Sequence, residues 1–341
     1  MKAALFMGPG RIQAAVMDEG DVHDHDIKVR NLAVGVCGTD IHIFHGEKGS
    51  ADVTPPVVLG HEYAGEVVAV GRAVKGFRPG DRVAIDPNIY CGTCYYCGSG
   101  RKHLCENLTA IGVNRNGGFA EYSIVPEAQA YRLAGHVDVE VGAMAEPLAC
   151  CLHGIDLAQI RPGDTVCVIG GGAIGQIMVQ LAKLAGASRV FLSEPAAQRR
   201  EIAMANGADY AIDPFAEDPA QAIKKANGRG VDVVIECAGN LKATEQAFAV
   251  AGRGATIVLF SVPTPEAEFS LRLFDVFSKE LRITGSFINP DTHQRAVNLI
   301  NAGRVNIKPL ITHRFGLNQV EEAIRRQRDP DSIKVLVKPW M

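Results

Sequence analysis

A run of glycines between a predicted strand and a predicted helix constrains the fold of this chain more than any other feature. The run is VCVIGGGAIGQ, in which Gly170, Gly172 and Gly175 have G-x-G-x-x-G spacing. Predicted strands and helices alternate from Asp164 to Gly239, beginning DTVCVIG, IGQIMVQLAKLAG and RVFLSEP. This alternation predicts βαβ units and therefore a parallel sheet. Two further strands, ATIVLF and LRITGSF, complete a predicted set of six.

The glycine spacing is typical of a turn that binds a dinucleotide. Glycine lets the backbone approach the pyrophosphate, which lies at the N-terminus of the next helix. The candidate contacts in this turn are Gly170, Gly172, Ile174 and Gly175. Glu194 follows the next strand, where its carboxylate can accept the ribose hydroxyls and repel a 2′-phosphate. The sequence therefore favours NAD, while Arg199 and Arg200 leave NADP open because a guanidinium can neutralise a phosphate.

The first part of the chain has a different pattern. Short β-branched segments such as IKVRNLAVGVCG, EYAGEVVAVG and DRVAIDP, punctuated by glycine and proline, predict a β-rich domain. Near the end, HQRAVNLINAG and LNQVEEAIRRQ are predicted helices and KVLVKPW a closing strand. We predict a β-rich domain over residues 1–148, a nucleotide-binding domain over 149–286, and a return to the first domain over 287–341.

Composition excludes several classes of function. Thirty-five lysines and arginines against 38 acids leave a formal net charge of −3 over 341 residues, so no basic field exists to bind nucleic acid or an anionic membrane. The apolar stretch before Gly8 is shorter than the roughly 7 to 15 residues of a secretory signal core. The apolar window 166–181 is interrupted by glycines and glutamines, whereas a membrane span needs about 20 apolar residues. We expect a cytoplasmic protein.

Four of the nine cysteines form one motif. Cys91, Cys94, Cys97 and Cys105 have the spacing C-x2-C-x2-C-x7-C. In a reducing compartment, such a quartet favours a metal over disulfides, and four thiolates suit a structural zinc ion. An iron–sulfur site or a reduced cluster without metal are the alternatives. Because all four ligands are protein, this zinc site leaves no position for a substrate.

A second set of metal-ligating residues is spread over three segments. Its members are Cys37 in GVCGTDIH, His61 and Glu62 in LGHEYAGEVV, and Glu146 in AMAEPLACC. Three protein ligands and one exchangeable position would let zinc bind an alcohol oxygen and lower its pKa. Taken singly, each residue has a plain structural alternative: a small buried thiol, a core histidine, or an acid at a helix end.

These three motifs, with GHEYAGEVVAVGRAVKGFRPGDRV between them, resemble the zinc-containing medium-chain dehydrogenase/reductase family over essentially the whole chain. The resemblance implies a GroES-like catalytic domain and a Rossmann domain, with one catalytic and one structural zinc per subunit in a homodimer or homotetramer. It implies that Cys37, His61 and Glu146 bind the catalytic zinc, with Glu62 as a neighbouring acid that can exchange onto it. Glutamate at position 146, where alcohol dehydrogenases have cysteine, points to the polyol and threonine branches.

The resemblance also implies a proton relay and a substrate class. Thr39 would take the proton of the alcohol and pass it, through the nicotinamide ribose, to His42. AEPLACC and GSFINPDTHQRAVNLI resemble sorbitol-type polyol dehydrogenases, so we expect NAD-dependent oxidation of a secondary alcohol of a small polyol to the ketone. L-threonine 3-dehydrogenase, butanediol dehydrogenase and polyol-phosphate dehydrogenase are the alternatives, because all would use the same residues on different small substrates. CGTDIHI and SEPAAQRRE resemble threonine dehydrogenases. A non-catalytic scaffold would lack ligands or glycines that are present here.

Overall fold

A computed structural model describes residues 1–47 and 52–341 and divides them into two compact units. One unit comprises Met1–Ala149 and Asn289–Met341, and the other comprises Cys150–Ile288. Among the described residues, no helix is both long enough and apolar enough to cross a membrane.

Strands predominate in the first third of the chain, and strands and helices alternate in the middle of it. The strands are β1 (Lys2–Gly8), β2 (Arg11–Val16), β3 (Asp26–Gly35), β4 (Val57–Val58), β5 (Glu62–Val70), β6 (Arg82–Ile85), β7 (Asn88–Ile89), β8 (Thr109–Ala110), β9 (Tyr122–Pro126), β10 (Ala130–Arg132), β11 (Thr165–Ile169), β12 (Arg189–Ser193), β13 (Tyr210–Ile212), β14 (Val231–Glu236), β15 (Ala251–Leu259), β16 (Arg282–Gly285), β17 (Ile311–Gly316) and β18 (Lys334–Lys338). The helices are α1 (Gly38–Phe44), α2 (Tyr95–Gly98), α3 (Val139–Gly142), α4 (Ala145–Ala158), α5 (Ala173–Leu184), α6 (Ala197–Ala205), α7 (Pro219–Asn227), α8 (Leu241–Val250), α9 (Leu273–Lys279), α10 (His293–Asn301) and α11 (Val320–Arg326).

The unit Cys150–Ile288 is built on a six-stranded sheet whose strands are all parallel. Its order is β13-β12-β11-β14-β15-β16, the Rossmann order, in which the direction of strand addition reverses beside β11. All five residues of β11 are buried, as expected where helices cover both faces of a parallel sheet. The predicted six-stranded parallel sheet is confirmed.

Local signals set the helix ends in this unit. The carboxylate of Asp218 accepts a hydrogen bond from the N–H of Ala220 at the start of α7, and Pro219 occupies the first turn. Asn240 caps α8 in the same way through the N–H of Ala243. Helix α8 lies between the fourth and fifth strands of the sheet, where the sequence pattern predicted no helix.

The unit Met1–Ala149 with Asn289–Met341 is β-rich. Its largest sheet has the order β10-β6-β5-β3-β18-β17, with β9 also paired to β3. The central strand β3 pairs antiparallel with β5 through Gly35 and Glu62, and with β18 through Gly35 and Leu336. This register brings three distant segments together just beyond Gly35: the loop after β3, the start of β5 and the start of β18.

Candidate active site

The cysteine quartet lies in a loop around the short helix α2. The four Sγ atoms lie within 4.8 Å of one another, with 3.9 Å between the sulfurs of Cys91 and Cys97. Backbone N–H groups point at the sulfurs: those of Thr93 and Cys94 donate to Cys91 at 3.5 and 3.4 Å. These donors lower the pKa of the Cys91 thiol below its ordinary value. Four converging sulfurs with N–H donors around them fit a tetrahedral metal site.

Three residues of the second predicted set come together at the end of β3. The metal-binding atoms of Cys37, His61 and Glu62 all lie within 4.8 Å of one another. Cys37 is the N-cap of α1, while His61 and Glu62 are buried at the beginning of β5. The β3–β5 register produces this proximity, because it sets Glu62 opposite Gly35. A Cβ on Gly35 would lie 2.2 Å from a Glu62 carboxylate oxygen, so any larger residue there would displace that carboxylate.

Asp40 of α1 contacts two members of this cluster, Cys37 and His61. It is fully buried, and its Oδ2 accepts a hydrogen bond of 2.8 Å from the backbone N–H of Cys37. Its Oδ1 lies 3.6 Å from Nδ1 of His61. Burial lowers the pKa of His61, but the negative charges of Asp40 and Cys37 outweigh it and raise that pKa well above its ordinary value. A carboxylate on Nδ1 orients a histidine so that Nε2 faces a metal.

Lys334 places a positive charge beside the same cluster. Its ammonium donates to Oε2 of Glu62 at 2.6 Å and to the carbonyl of Val36 at 3.0 Å. Burial lowers the pKa of Lys334, but the charges of Glu62, Cys37 and Glu146 raise it above its usual value. The cluster therefore combines several acidic groups with the buried ammonium of Lys334, a charge balance that a divalent metal would change.

Glu146 lies in the first turn of α4 and is buried. Among the described residues it is not part of the group whose ligand atoms lie within 4.8 Å. Its carboxylate is nevertheless close enough to raise the pKa of Lys334. Glu146, the fourth residue of the predicted ligand set, thus lies near the cluster but outside the group of three.

The two predicted relay residues lie on α1. Thr39 and His42 are half-buried and three positions apart, which places them on neighbouring parts of one helix face. Nδ1 of His42 is hydrogen-bonded to the carboxylate of Glu47, just beyond the helix.

The glycine turn has the geometry that a dinucleotide needs. Gly170 has a φ of +94°, and a Cβ on Gly175 would lie 1.8 Å from the carbonyl oxygen of Gly170. A Cβ on Gly172 would meet no atom within 4 Å, so open space lies beside the N-cap of α5. Ile174 lies in the first turn of this 12-residue helix. Open space beside a helix N-terminus fits a pyrophosphate.

Glu194 closes the turn from the end of β12. Its side chain is buried, and its Oε2 accepts from the N–H of Gly171 at 2.6 Å while Oε1 accepts from Ala196 at 2.9 Å. The guanidinium of Arg199 lies 4.0 Å from Oε2. Arg200 donates to the carbonyls of Glu194 and Pro195. The acid is therefore held in place beside the glycine turn, with one arginine near it.

Comparison with known proteins decides the family. Residues 23–135 match the alcohol dehydrogenase GroES-like domain, and residues 173–302 match the zinc-binding dehydrogenase domain. The chain is also 36% identical to L-threonine 3-dehydrogenase of Pyrococcus furiosus, over 91% of this chain and 90% of that protein. The protein belongs to the zinc-containing medium-chain dehydrogenases.

This dehydrogenase is also similar to a sorbitol dehydrogenase and to a dehydrogenase of known structure. Sorbitol dehydrogenase of Halalkalibacterium halodurans is 35% identical, with 97% of each chain covered. The crystal structure of a zinc-binding dehydrogenase from Sinorhizobium meliloti, bound to NADP, is 43% identical with a TM-score of 0.95, and 99% of each chain is covered. This dehydrogenase is therefore a zinc-containing enzyme of the alcohol and polyol type, with a nicotinamide cofactor and a small alcohol as substrate.

Sequence reasoning missed three residues around the site. Asp40 could have been found, because a residue three positions after the N-cap Cys37 is the capping-box position. Lys334 carries no local signal, since its partner Glu62 is 272 residues away. Glu47 is an ordinary exposed acid in sequence and becomes notable only through its contact with His42.

Proposed function

We propose that this dehydrogenase oxidises a secondary alcohol of a small polyol to the ketone and transfers the hydride to NAD. The observation that carries the proposal is the convergence of Cys37, His61 and Glu62 within 4.8 Å, with Asp40 behind them. One thiolate, one imidazole and carboxylates are a donor set that zinc prefers, and they leave room for a substrate oxygen. When bound, zinc would polarise that oxygen and lower the pKa of the alcohol.

The protein's own residues would hold the metal and move the proton. Cys37, His61 and Glu146 are the proposed ligands, and Glu62 is the acid that can exchange onto the metal. Asp40 would orient His61, while Lys334 balances the charge of Glu62. We propose that Thr39 accepts the alcohol proton and that His42 releases it to water; their positions on one helix support this order. The Cys91 quartet would bind the second zinc and stabilise its loop.

For the cofactor, the position of Glu194 supports NAD over NADP. A buried carboxylate held by two backbone N–H groups cannot swing away from a 2′-phosphate, and bringing two negative charges together is unfavourable. Arg200 is bound to backbone carbonyls and lies 3.2 Å from Asp213. Arg199 and the NADP-bound relative are the observations that favour NADP. Glu194→Ala should raise kcat/KM for NADP relative to NAD by about tenfold or more, roughly 1.4 kcal/mol.

The substrate proposal rests on the sequence around Glu146 and after Phe287, which resembles polyol dehydrogenases. The test is NAD reduction by the zinc-loaded protein with sorbitol, xylitol, arabitol, L-threonine and 2,3-butanediol. We expect kcat/KM for a polyol to exceed the others by at least tenfold, about 1.4 kcal/mol of transition-state binding. A preference for L-threonine would instead establish the alternative that the relative from Pyrococcus furiosus favours.

We also propose that the predicted segments 1–148 and 287–341 form the catalytic domain and that 149–286 binds the nucleotide.

We propose that the enzyme assembles as a homodimer or homotetramer. The support for assembly is an apolar surface on α9, where Leu273, Phe274 and Phe277 are 78%, 69% and 80% exposed. Exposure of this many large apolar side chains is typical of an interaction site. Light scattering after size exclusion would test it, and a monomer would contradict it.

A further inference from the structure

A helix-capping motif brings an acid onto the proposed relay histidine. Helix α1 ends at Phe44, and Gly46 follows with a left-handed φ of +83°. The N–H of Glu47 donates to the carbonyl of His42 at 2.9 Å, and that of Gly46 donates to Ile43 at 3.0 Å. This pair of bonds with a left-handed glycine is the Schellman motif, which ends a helix by turning the chain back on itself.

The motif determines which side chains meet. Its outer bond joins the third-from-last helical position to the second residue beyond the cap, here His42 and Glu47. Apolar side chains usually meet at these two positions, but here the carboxylate of Glu47 accepts a hydrogen bond from Nδ1 of His42. The two residues are thus joined through both backbone and side chains, so the ring is held more firmly than in an isolated surface ion pair.

Several of the described residues lie around this pair. His45 and Arg328 also act on the carboxylate, and the hydrogen bond from His42 is the largest contribution that lowers the pKa of Glu47. The ring of His45 is directed back to the carbonyl of Ile41 at 2.8 Å, and Arg325 of α11 lies over Phe44. Asp40, the acid on the same helix, faces His61. Of these acids among the described residues, Glu47 is the one that is hydrogen-bonded to the imidazole of His42.

We propose that Glu47 is a positioning residue that holds His42 in the Nδ1–H tautomer, so that Nε2 is the nitrogen that accepts the relayed proton. The proposal rests on the relay role of His42 given above. A neutral imidazole has one donor and one acceptor nitrogen, and the partner of one nitrogen sets the state of the other. The carboxylate also stabilises the imidazolium that forms when Nε2 takes up the proton, as the acid of a catalytic triad does.

The test uses the zinc-loaded protein labelled with ¹⁵N-histidine, without nucleotide, with His42→Gln to assign the signal. In the unmodified protein at high pH, we expect the proton of neutral His42 on Nδ1. Glu47→Ala removes the acceptor and should give a mixture of both tautomers. An unchanged Nδ1–H signal in Glu47→Ala would overturn the proposal.

The second measurement is the pH profile of kcat/KM. Glu47→Gln keeps an acceptor oxygen but removes the negative charge next to the ring, so the acid limb of the profile should move to lower pH. Glu19→Gln is the matched control, because the side chain of Glu19 is similarly exposed, at 41% against 45%, and its carboxylate also accepts a hydrogen bond from a nitrogen-bearing side chain, that of Lys28. An acid limb that stays in place, or that moves equally in the control, would overturn the positioning role. A pH profile of His42→Gln that matches the wild-type profile would overturn the relay role of His42. The tautomer measurement does not depend on the relay, so it shows separately whether Glu47 holds the ring.

Discussion

Lys334 and Glu62 form a buried ion pair across two strands that both lie next to β3. The ammonium and carboxylate are 2.6 Å apart, and their side chains are 5% and 2% exposed. The ammonium also binds the carbonyl of Val36, next to Cys37. The pair thus links the last strand of the chain to the proposed catalytic metal site and holds the carboxylate of Glu62 in place.

Replacing Lys334 by methionine should strongly destabilise the enzyme. The substitution leaves the carboxylate of Glu62 buried without its partner, and breaking such a pair costs about 3 to 5 kcal/mol. Urea unfolding of the zinc-loaded protein at neutral pH would measure this loss. The double variant Lys334→Met with Glu62→Gln should recover most of it, since the side chain at position 62 then carries no charge that needs a partner. Equal stability of the single and double variants would contradict this explanation, because the buried charge of Glu62 would then carry no cost.

Glu140 should make the fold sensitive to acid. Arg314 donates to its carboxylate at 2.7 Å and Lys338 at 2.8 Å, and the hydrogen bond from Arg314 is the main cause that lowers its pKa to about 2. Because the folded pKa is below the unfolded value, its stabilisation is complete above about pH 4.5 and is lost as the pH falls toward 2. Glu140→Gln should lower the free energy of unfolding at pH 7 by about 1 to 3 kcal/mol.

The pH dependence checks this account of Glu140. Unfolding measured between pH 5 and 3 should show a shallower loss of stability in Glu140→Gln than in the wild-type protein, because the variant has no proton to take up at this position. Parallel stability curves for the two proteins over that range would refute the assignment.

Two glycines of the glycine turn, the proposed nucleotide site, should separate folding from cofactor binding. A Cβ on Gly172 meets no protein atom within 4 Å, at a φ of −67° that alanine tolerates. Gly172→Ala should therefore keep the melting temperature but weaken nucleotide binding about tenfold, because the methyl group occupies space proposed for the pyrophosphate. Gly175→Ala should lower stability as well, since its Cβ would collide with Gly170. Calorimetric titration with NAD and thermal unfolding measure both, and undiminished binding in Gly172→Ala would contradict the placement.

The cysteine quartet should hold one zinc ion that is independent of catalysis. Cys94→Ser should lower the zinc content from about two to about one per subunit and make the loop of residues 91–105 sensitive to proteases, because a structural zinc supplies folding energy. Cys150→Ser is the control, because Cys150 belongs to neither cluster of metal-binding atoms found among the described residues. Full zinc content in Cys94→Ser would refute the assignment.

Sequence alone predicts the parts of this enzyme whose residues are close together in the chain. The cysteine quartet and the glycine turn each lie within one loop, so their spacing already describes their geometry. The six-stranded parallel sheet follows from the alternation of predicted strands and helices. Helix α8 was not predicted, because a single capping residue, Asn240, is the main sign of it in the sequence.

The rest depends on strand register, which spacing does not encode. His61 and Glu62 lie beside Cys37 only because β3 and β5 pair through Gly35 and Glu62. Lys334 reaches the same place because β18 pairs with the other side of β3. A shift of either strand by one residue would turn these side chains to the opposite face of the sheet.

The most direct test of the account is one comparison of metal content and rate. His61→Ala removes a proposed ligand of the catalytic zinc but leaves the cysteine quartet intact. We predict that this variant binds about one zinc per subunit instead of two and loses at least a thousandfold in kcat for NAD-dependent polyol oxidation, about 4 kcal/mol. A His61→Ala variant that keeps both zinc ions and the wild-type rate would contradict the proposed active site.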